Sequence, residues 1–593
     1  MTAGVVTALI DFGQPQGAAG ERLRCAFGAP LRVLQADALD EVKPLLEQVQ
    51  AEAKAGHWCL GHVAYEAAPA FDAALRVHPA PGPLAWFAVF DAALPWPEDE
   101  RLPSGAAAAV QQPVRIRWDS GPERAAFTRD IEAIQAAIAA GDCYQINLTA
   151  QLEGQLLQGS PLALYAALHR AQPGGYSAFL DMGGRQLLSV SPELFFDWDG
   201  SRLLARPMKG TAVRGATPEQ DQAQADVLLS SAKERAENVM IVDLIRNDLS
   251  RIALPHSVKV PRLFHREALP TVWQMTSDVT ADSRPGTSLA DLFAALFPCG
   301  SITGAPKVQA MRLIHELEPG PRGAYCGAIG IVRPGGHATF NVPIRTVAVQ
   351  GQRLSCGIGS GITSGATAEG EWQEWRHKLA FLDRASEPFE LLETLALVDG
   401  ELRHRSEHLA RLQRAADHFA YPLDQSALLA QLQALEAAHP QGRWRVRLLL
   451  DAQGLAQVQA FALEASPAEV TLALAPQPFE AAAGEFVRYK TTRRAHYDAA
   501  APTQPGVFDA ILWNSGGELT ECTRGNLALQ IDGEWLTPAL SSGLLDGVGR
   551  EVALREGRVR EAVLRVEDLR RATGLAFLNS LRGWIAARLD LPA

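Results

Sequence analysis

The residues whose types could do chemistry are few and spread along the chain. Lys209 sits in Arg206-Pro207-Met208-Lys209-Gly210-Thr211, directly after the strand-like run Ser201-Arg202-Leu203-Leu204-Ala205. Proline stiffens the backbone ahead of the lysine, and glycine lets a ligand approach behind it. Taken alone, such a residue is an ordinary loop lysine. Glu193 follows Ser191-Pro192 on the preceding segment, Glu237 lies in a helical stretch, and Glu371, Glu374 and Lys378 recur at i, i+3 and i+7 on one helical face. Two carboxylates from distant helices suit magnesium, which takes few protein ligands and keeps waters or ligand oxygens for the rest. Two glycine-rich stretches, 297–307 and 356–363, read as turns whose backbone N–H groups would suit a carboxylate. Arg345 could add a bidentate clamp. The chain has no Gly-x-x-x-x-Gly-Lys-Ser/Thr sequence, so nucleotide binding is not supported.

The elements that must position these groups follow from periodicity. Phe127, Ile131, Ile134 and Ile138 predict a helix ended by Gly141. The next segment alternates polar and apolar residues as a half-buried strand, placing Gln145, Asn147 and Thr149 on one face that could line a cleft. A second strand, 186–196, returns through Leu203-Leu204 to Lys209 as a hairpin. A three-residue loop would put Glu193 and Lys209 on one face, and a two-residue loop on opposite faces. A helix is expected from about Ser231 to Leu249, with Val239, Val242 and Ile245 towards a core and Glu237 at its edge.

Composition bounds the rest. The chain of 593 residues needs more than one core. Its net charge of −12, without a Lys/Arg run, argues against nucleic acid. Residues 1–17 have no basic start and reach Asp11 after a short apolar run, and no long apolar stretch follows, so neither a leader nor a membrane span is expected. Seven scattered cysteines without CxxC spacing point to a reducing cytoplasm. Cys59-Leu60-Gly61-His62 imitates an amidotransferase nucleophile turn, but too little chain precedes it and no His-x-Glu follows at a plausible distance. The stretch from Pro95 to Ala109 reads as a connecting loop.

Seven motifs in order carry a resemblance: Gly141-Asp142-Cys143-Tyr144-Gln145, Ser191-Pro192-Glu193, Pro207-Met208-Lys209-Gly210-Thr211, residues 233–238 (Lys-Glu-Arg-Ala-Glu-Asn), Arg246-Asn247-Asp248-Leu249, residues 300–307 (Gly-Ser-Ile-Thr-Gly-Ala-Pro-Lys) and residues 357–362 (Gly-Ile-Gly-Ser-Gly-Ile). Together they resemble the chorismate-utilising enzymes, which include anthranilate, isochorismate and aminodeoxychorismate synthases. The resemblance implies an α/β (α+β) fold: a large sandwich of two antiparallel sheets with helices outside, holding chorismate and Mg2+. Residues 1–110 would be its N-terminal part and 111–383 its catalytic core. It implies that Lys209 adds to ring C2, as in aminodeoxychorismate synthases with a covalent intermediate, where anthranilate synthases carry alanine. Glu193 would be the general acid, and Glu237, Glu374 and Glu371 the metal ligands. Substrate contacts are implied at Gln145, Thr303, Gly304, Tyr325 and Arg345, and further along at Gly359, Ser360, Gly361 and Lys378. Gln145 stands where hydrating relatives carry a base, and an amide cannot act as one.

Near Glu387 the pattern restarts. Phe389-Glu390-Leu391-Leu392-Glu393-Thr394, His408-Leu409-Ala410-Arg411-Leu412, a strand ending Phe486-Val487-Arg488-Tyr489-Lys490, Glu518-Leu519-Thr520-Glu521 and Gly543-Leu544-Leu545-Asp546-Gly547-Val548 follow in order. This order resembles the fold-type IV pyridoxal-phosphate enzymes over 387–593, with the family's usual opening strand pair missing or shortened. It implies that Lys490 carries pyridoxal 5'-phosphate, Glu521 faces its pyridine nitrogen, Arg411 with the N–H groups of Gly547 and Val548 holds its phosphate, and Thr394 touches substrate. The two halves together imply consecutive steps: chorismate and ammonia to 4-amino-4-deoxychorismate, then loss of pyruvate to 4-aminobenzoate for folate. Ammonia would come from a separate glutamine amidotransferase, and a homodimer through the second domain fits the family. The competing reading is an anthranilate or isochorismate synthase fused to a branched-chain or D-amino acid aminotransferase.

Overall fold

A computed structural model describes residues 6–13, 22–96, 110, 112–215, 218–268, 272–482 and 484–590. The 95–109 passage read as a loop therefore lies mostly outside the described residues. The chain divides into two compact units, Met1–Pro388 and Phe389–Ala593.

In the first unit, strand alternation builds two antiparallel sheets, of nine and ten strands among the described residues. The first runs from Gly304–Ala305 through Gln145–Gln158, Arg353–Ile362, Thr346–Gln350, Arg185–Ser191 and Tyr176–Asp181 to Ala8–Phe12 and Leu23–Phe27. The second carries Met208–Val213, Val272–Asp282, Arg202–Arg206 and Leu194–Trp198 towards one end, and Trp58–Val63, Ala85–Phe90 and Arg32–Ala36 towards the other. Residues ahead of 110 thus give strands to both sheets. Period-two burial explains the layers. Leu60, Trp86, Ala88 and Ile329 of one sheet meet Ile10, Ala178, Leu180 and Leu187 of the other between the sheets. Cys59, Val63, Phe87 and Val89 turn outward against the helix Leu39–Lys54. Helices Arg124–Ala139, Pro161–Ala171 and Ala368–Lys378 cover the first sheet's outer face. Burial holds the Cys59 thiol up at about 12, and it lies within a strand rather than at a turn.

Of the two glycine-rich stretches read as turns, only the first contains one. Residues 353–362 are a strand, paired along its length with 145–158. Residues 300–302 form one short 3-10 turn, and Gly304-Ala305 pair with Ile146 and Gln145. The helix Ala232–Ser250 buries Ile241, Val242, Ile245 and Leu249, whereas Val239 faces out at 38% exposure. The helical face is rotated towards Asn238 and Ile241, because Asn238 Oδ1 accepts the Ser277 hydroxyl at 2.6 Å.

In the second unit, Leu391–Val398, Arg443–Leu450 and Ala456–Ala462 form an antiparallel sheet covered by helices Arg405–Phe419 and Gln425–Ala438. A mixed eight-stranded sheet contains Glu469–Leu474, Asp509–Trp513, Leu519–Cys522 and Asn526–Ile531. The strand expected to end at Lys490 is instead a single helical turn, Glu485–Arg488, after which Lys490 offers its carbonyl to the N–H of Leu392. No helix among the described residues is long and apolar enough to cross a membrane.

Within the first unit, Arg322 is buried and pairs with Glu318 four residues earlier at 2.6 Å. Replacing Arg322 by Met should cost this unit about 3–5 kcal/mol, because a buried carboxylate loses its partner. Urea unfolding followed by fluorescence should show that loss, and an unchanged first transition would contradict it.

Candidate functional site

A cavity of about 390 Å³ in the first unit collects most of the residues that the sequence singled out. Lys209 reaches it by two devices. Arg206 is locked to Asp278 through Nε at 2.6 Å and Nη2 at 3.1 Å, which fixes the chain entering Pro207. Past the lysine, Gly210 adopts φ 89° and lies so close to Glu234 and Leu228 that a side chain there would collide. Gln274 Nε2 donates to the Gly210 carbonyl at 2.8 Å.

The hairpin question is answered by a compensation. Asp199 N–H bonds the Arg202 carbonyl and Trp198 pairs with Leu203, so the turn is the two-residue Gly200-Ser201. That register would send Glu193 and Lys209 to opposite faces. A one-residue slip between Leu194 and Asp197 then pairs Leu194 with Arg206 and restores the parity. Both side chains line the cavity.

Glu193 is 4% exposed. Burial raises its carboxyl to about 7, against the pull of the Ser301 hydroxyl, Lys209 and the Met208 N–H. Ser301 Oγ donates to Glu193 Oε1 at 2.6 Å. Glycines 357, 359 and 361 make a bare stripe on one face of their strand. A Cβ at Gly361 would stand 2.3 Å from Lys209 Nζ and 2.8 Å from Gln145 Nε2, and one at Gly357 would strike the Tyr325 ring. The Gln145 amide is thereby held beside the lysine, fully buried, with neither its oxygen nor its nitrogen bonded. Arg345 also faces the cavity, with φ 49° and a buried Nη1 lacking a partner. Burial and the neighbouring Arg384 push its guanidinium down to about 10. A buried guanidinium nitrogen without a partner, facing the cavity, fits an anion. Thr303 and Gly304 stand apart from the cavity: the Thr303 hydroxyl donates to Cys299 O, and its carbonyl accepts from Asn147 N–H.

The acidic end of the cavity holds Glu234, Glu237, Glu371 and Glu374. Burial raises Glu371, helped by Glu374, and burial raises Glu234, helped by Glu237 and Glu374. Each of the three expected metal ligands has one oxygen engaged: Glu237 by Thr363 at 3.1 Å, Glu371 by Ser360 at 2.6 Å and Glu374 by Lys378 at 2.7 Å. Lys378 also donates to Gly359 O at 2.9 Å, and Ser360 accepts from Trp375 Nε1 at 2.8 Å. Among the described residues no three acidic, His or Cys side chains converge as a finished metal centre. Mutually repelling carboxylates with one free oxygen each fit a hard cation that keeps several waters.

The second unit builds a different site. Lys490 is pushed down to about 8, by burial first and then by Arg494 and Arg411. Burial raises Glu521 to about 7 against two donors, Tyr497 O–H at 2.7 Å and Leu545 N–H at 3.1 Å, both on Oε1. Oε2 makes no hydrogen bond among the described residues, which leaves it for a ring N–H. Arg411 grips Glu393 through Nε at 2.8 Å and Nη2 at 2.7 Å, and its Nη1 donates to Asp546 O beside the start of helix Val548–Arg555. Gly547 caps that helix, and a Cβ there would lie 2.0 Å from Asn526 Oδ1, so any side chain would force Asn526 to move. Free N–H groups at this end, with an arginine beside them, fit a phosphate. Thr394 stands on the face of its strand opposite Glu393.

Residues 13–384 match the family described as chorismate binding enzyme. The chain belongs to that family. Residues 390–589 match the amino-transferase class IV family. A chorismate-binding domain is therefore followed by a class IV aminotransferase-like domain. Aminodeoxychorismate synthase component 1 of Salmonella typhimurium is 42% identical over 287 residues, covering 48% of this chain and 62% of that protein. The chain thus matches less than two thirds of this relative's length. The solved anthranilate synthase component I of Streptococcus pneumoniae is 24% identical, with TM-score 0.50 over 64% of this chain and 92% of its own. The menaquinone-specific isochorismate synthase of Escherichia coli is 19% identical, also at TM-score 0.50, over 65% and 89%. These two likenesses concern the fold.

Within this chorismate binding enzyme, sequence reasoning missed Ser301, Glu234, Arg384 and Glu393. Glu393 had a signal: it occupies a core-facing position between Leu391 and Leu395, where a carboxylate needs partners. Burial opposes its ionisation, but Arg411 and His408 outweigh it and hold the carboxyl down at about 2. Glu234 had another, being one helical turn before Glu237. Lys490 should react with a small aldehyde and borohydride at pH 8 ahead of the exposed lysines, because its lowered pKa leaves more of its amine uncharged. Peptide mapping reads the order, and equal labelling of Lys490 and surface lysines would contradict its depressed pKa.

Proposed function

We propose that the chain makes 4-aminobenzoate in two steps, as an aminodeoxychorismate synthase joined to an aminodeoxychorismate lyase. The observation that carries this reading is a lysine amine and a buried acid lining one cavity, with the unbonded Gln145 amide packed beside the lysine behind the glycine stripe. Lys209 adds to C2 of chorismate, the ring double bonds shift, and the C4–O bond breaks while Glu193 gives its proton to the departing hydroxyl. Ammonia then adds at C4, the double bonds return, and the C2–N bond breaks to free Lys209. The Glu193 carboxylate takes back the proton that the new ammonium sheds. Gln145 offers no base to activate water, which supports amination over hydration. Arg345 holds the enolpyruvyl carboxylate, and Tyr325, Gly359 and Gly361 shape the wall. Glu237 and Glu374, backed by Glu371, would hold Mg2+, which would screen the ring carboxylate from the acidic wall.

In the second unit, bound pyridoxal 5'-phosphate would supply the electron sink that makes the C4 proton acidic. Lys490, its amine pushed down to about 8 and so about half uncharged at pH 8, removes that proton. Glu521 presents Oε2 to the pyridine nitrogen, and Arg411 with the 547–548 N–H groups holds the phosphate. The ring–oxygen bond then breaks, the aromatic product is left, and the departing enolpyruvate takes the proton from Lys490 at its methylene carbon to become pyruvate. A separate glutamine amidotransferase supplying ammonia, a homodimer through the second unit and a cytoplasmic location belong to the same reading.

The full chain, given chorismate, ammonium, magnesium and pyridoxal phosphate, should form 4-aminobenzoate and pyruvate. Lys209→Ala should lose the amination and still convert supplied 4-amino-4-deoxychorismate, whereas Lys490→Ala should accumulate that compound. Anthranilate or a salicylate-type product from the wild-type chain would overturn the assignment.

A further inference from the structure

We infer that Ser301 is a positioning residue for the acid step: its hydroxyl keeps Oε1 of Glu193 an acceptor, and so confines the acid's proton to Oε2. The inference rests on the reading of Glu193 as general acid. Three groups in line carry it. Cys299 Sγ lies 3.2 Å from Ser301 Oγ, and Ser301 Oγ lies 2.6 Å from Glu193 Oε1, all of them buried. A hydroxyl has a single proton to give. The Ser301 hydroxyl donates to Glu193 Oε1, so towards Cys299 it can only accept; burial, and then the charge of Glu193, holds the thiol up at about 12, so it keeps a hydrogen to give. The Ser301 proton is then committed to Glu193, and the donors point one way: Cys299, Ser301, Glu193.

The surroundings hold this line in place. Arg322 Nη1 donates to the Ile302 carbonyl at 2.8 Å, which fixes the turn bearing Ser301. Glu193 N–H donates to Ser191 Oγ at 3.1 Å, and the Ser191 hydroxyl is spent on Val342 O at 2.5 Å, so Ser191 cannot compete for the carboxyl. The charged or titratable groups facing Glu193 are Lys209, Lys378, Cys299 and Cys326. A protonated carboxyl whose one oxygen accepts from Ser301 carries its proton on the other. Without Ser301 the proton can sit on either oxygen, and the ionised form loses a charge-assisted bond. Glu193 would then stay protonated to higher pH, and fewer of its conformers would aim the proton at the leaving oxygen.

The test measures amination by the full chain with chorismate, ammonium and magnesium across pH. Ser301→Ala should lower kcat about tenfold, within the range that general acids contribute, and move the alkaline limb upward from near pH 7. KM for chorismate should stay within about twofold, since no substrate contact is removed. Ser301→Thr, which keeps the hydroxyl, should restore both kcat and the limb. Ser301→Cys, a near-isostere with a weak donor, should fall between them and serves if the alanine variant does not fold. Wild-type kcat with an unmoved limb in Ser301→Ala or Ser301→Cys overturns the inference. Glu193→Gln separates the two claims. If it keeps wild-type turnover, the acid assignment itself fails; if it is inactive while Ser301→Ala is normal, only the role of Ser301 fails.

Discussion

The site in the first unit depends on one buried ion pair. Arg322 spends Nε at 2.8 Å and Nη2 at 2.6 Å on the two oxygens of Glu318, Nη2 also on Asn147 O at 2.7 Å, and Nη1 on Ile302 O. Glu318 Oε1 accepts from the N–H and the hydroxyl of Thr149 as well. The Arg322 N–H reaches Glu66 at 2.7 Å, which brings in the N-terminal part of the unit. The pair adds a side-chain anchor to a strand and a turn that the backbone already joins through Asn147 N–H and the Thr303 carbonyl. A buried pair of this kind contributes less to net stability than to geometry, because desolvation consumes much of its Coulomb energy.

The two units tune their titrating groups by the same means and to similar ends. Burial brings Glu193 and Glu521 up to about 7 and Lys490 down to about 8. Groups near neutrality can give and take protons at working pH, whereas exposed ones would be fixed in one state. Glu393 goes the other way, held ionised by Arg411 and His408. That pairing aims the Arg411 guanidinium along the helix start at Asp546, and leaves its charge partly offset.

Much of the architecture was legible because alternation and helical spacing survive in single strands and helices. The strand at 145–149 and the helix near 232–250 follow from such local patterns, although that strand is buried on both faces rather than half-buried. What was not legible is long-range. The parity of Glu193 and Lys209 depends on a one-residue slip that no local signal marks. The glycines of 356–363 read as turn residues, although their purpose is a bare stripe in a strand, which shows only once Lys209, Gln145 and Tyr325 are packed on it. Lys490 follows a helical turn because its carbonyl is held by a strand almost a hundred residues away, at Leu392. Ser301 was visible inside a motif, but its partner Glu193 lies 108 positions earlier.

The central claim is that the Lys209 amine bonds to the ring. Mass spectrometry of the chain quenched in acid after incubation with chorismate and magnesium, without ammonia, tests it most directly. The account predicts a peptide containing Lys209 heavier by chorismate less one water, with the adduct lost when ammonium is added before quenching. An unmodified Lys209 peptide from the ammonia-free incubation, or an adduct on another lysine, would contradict it.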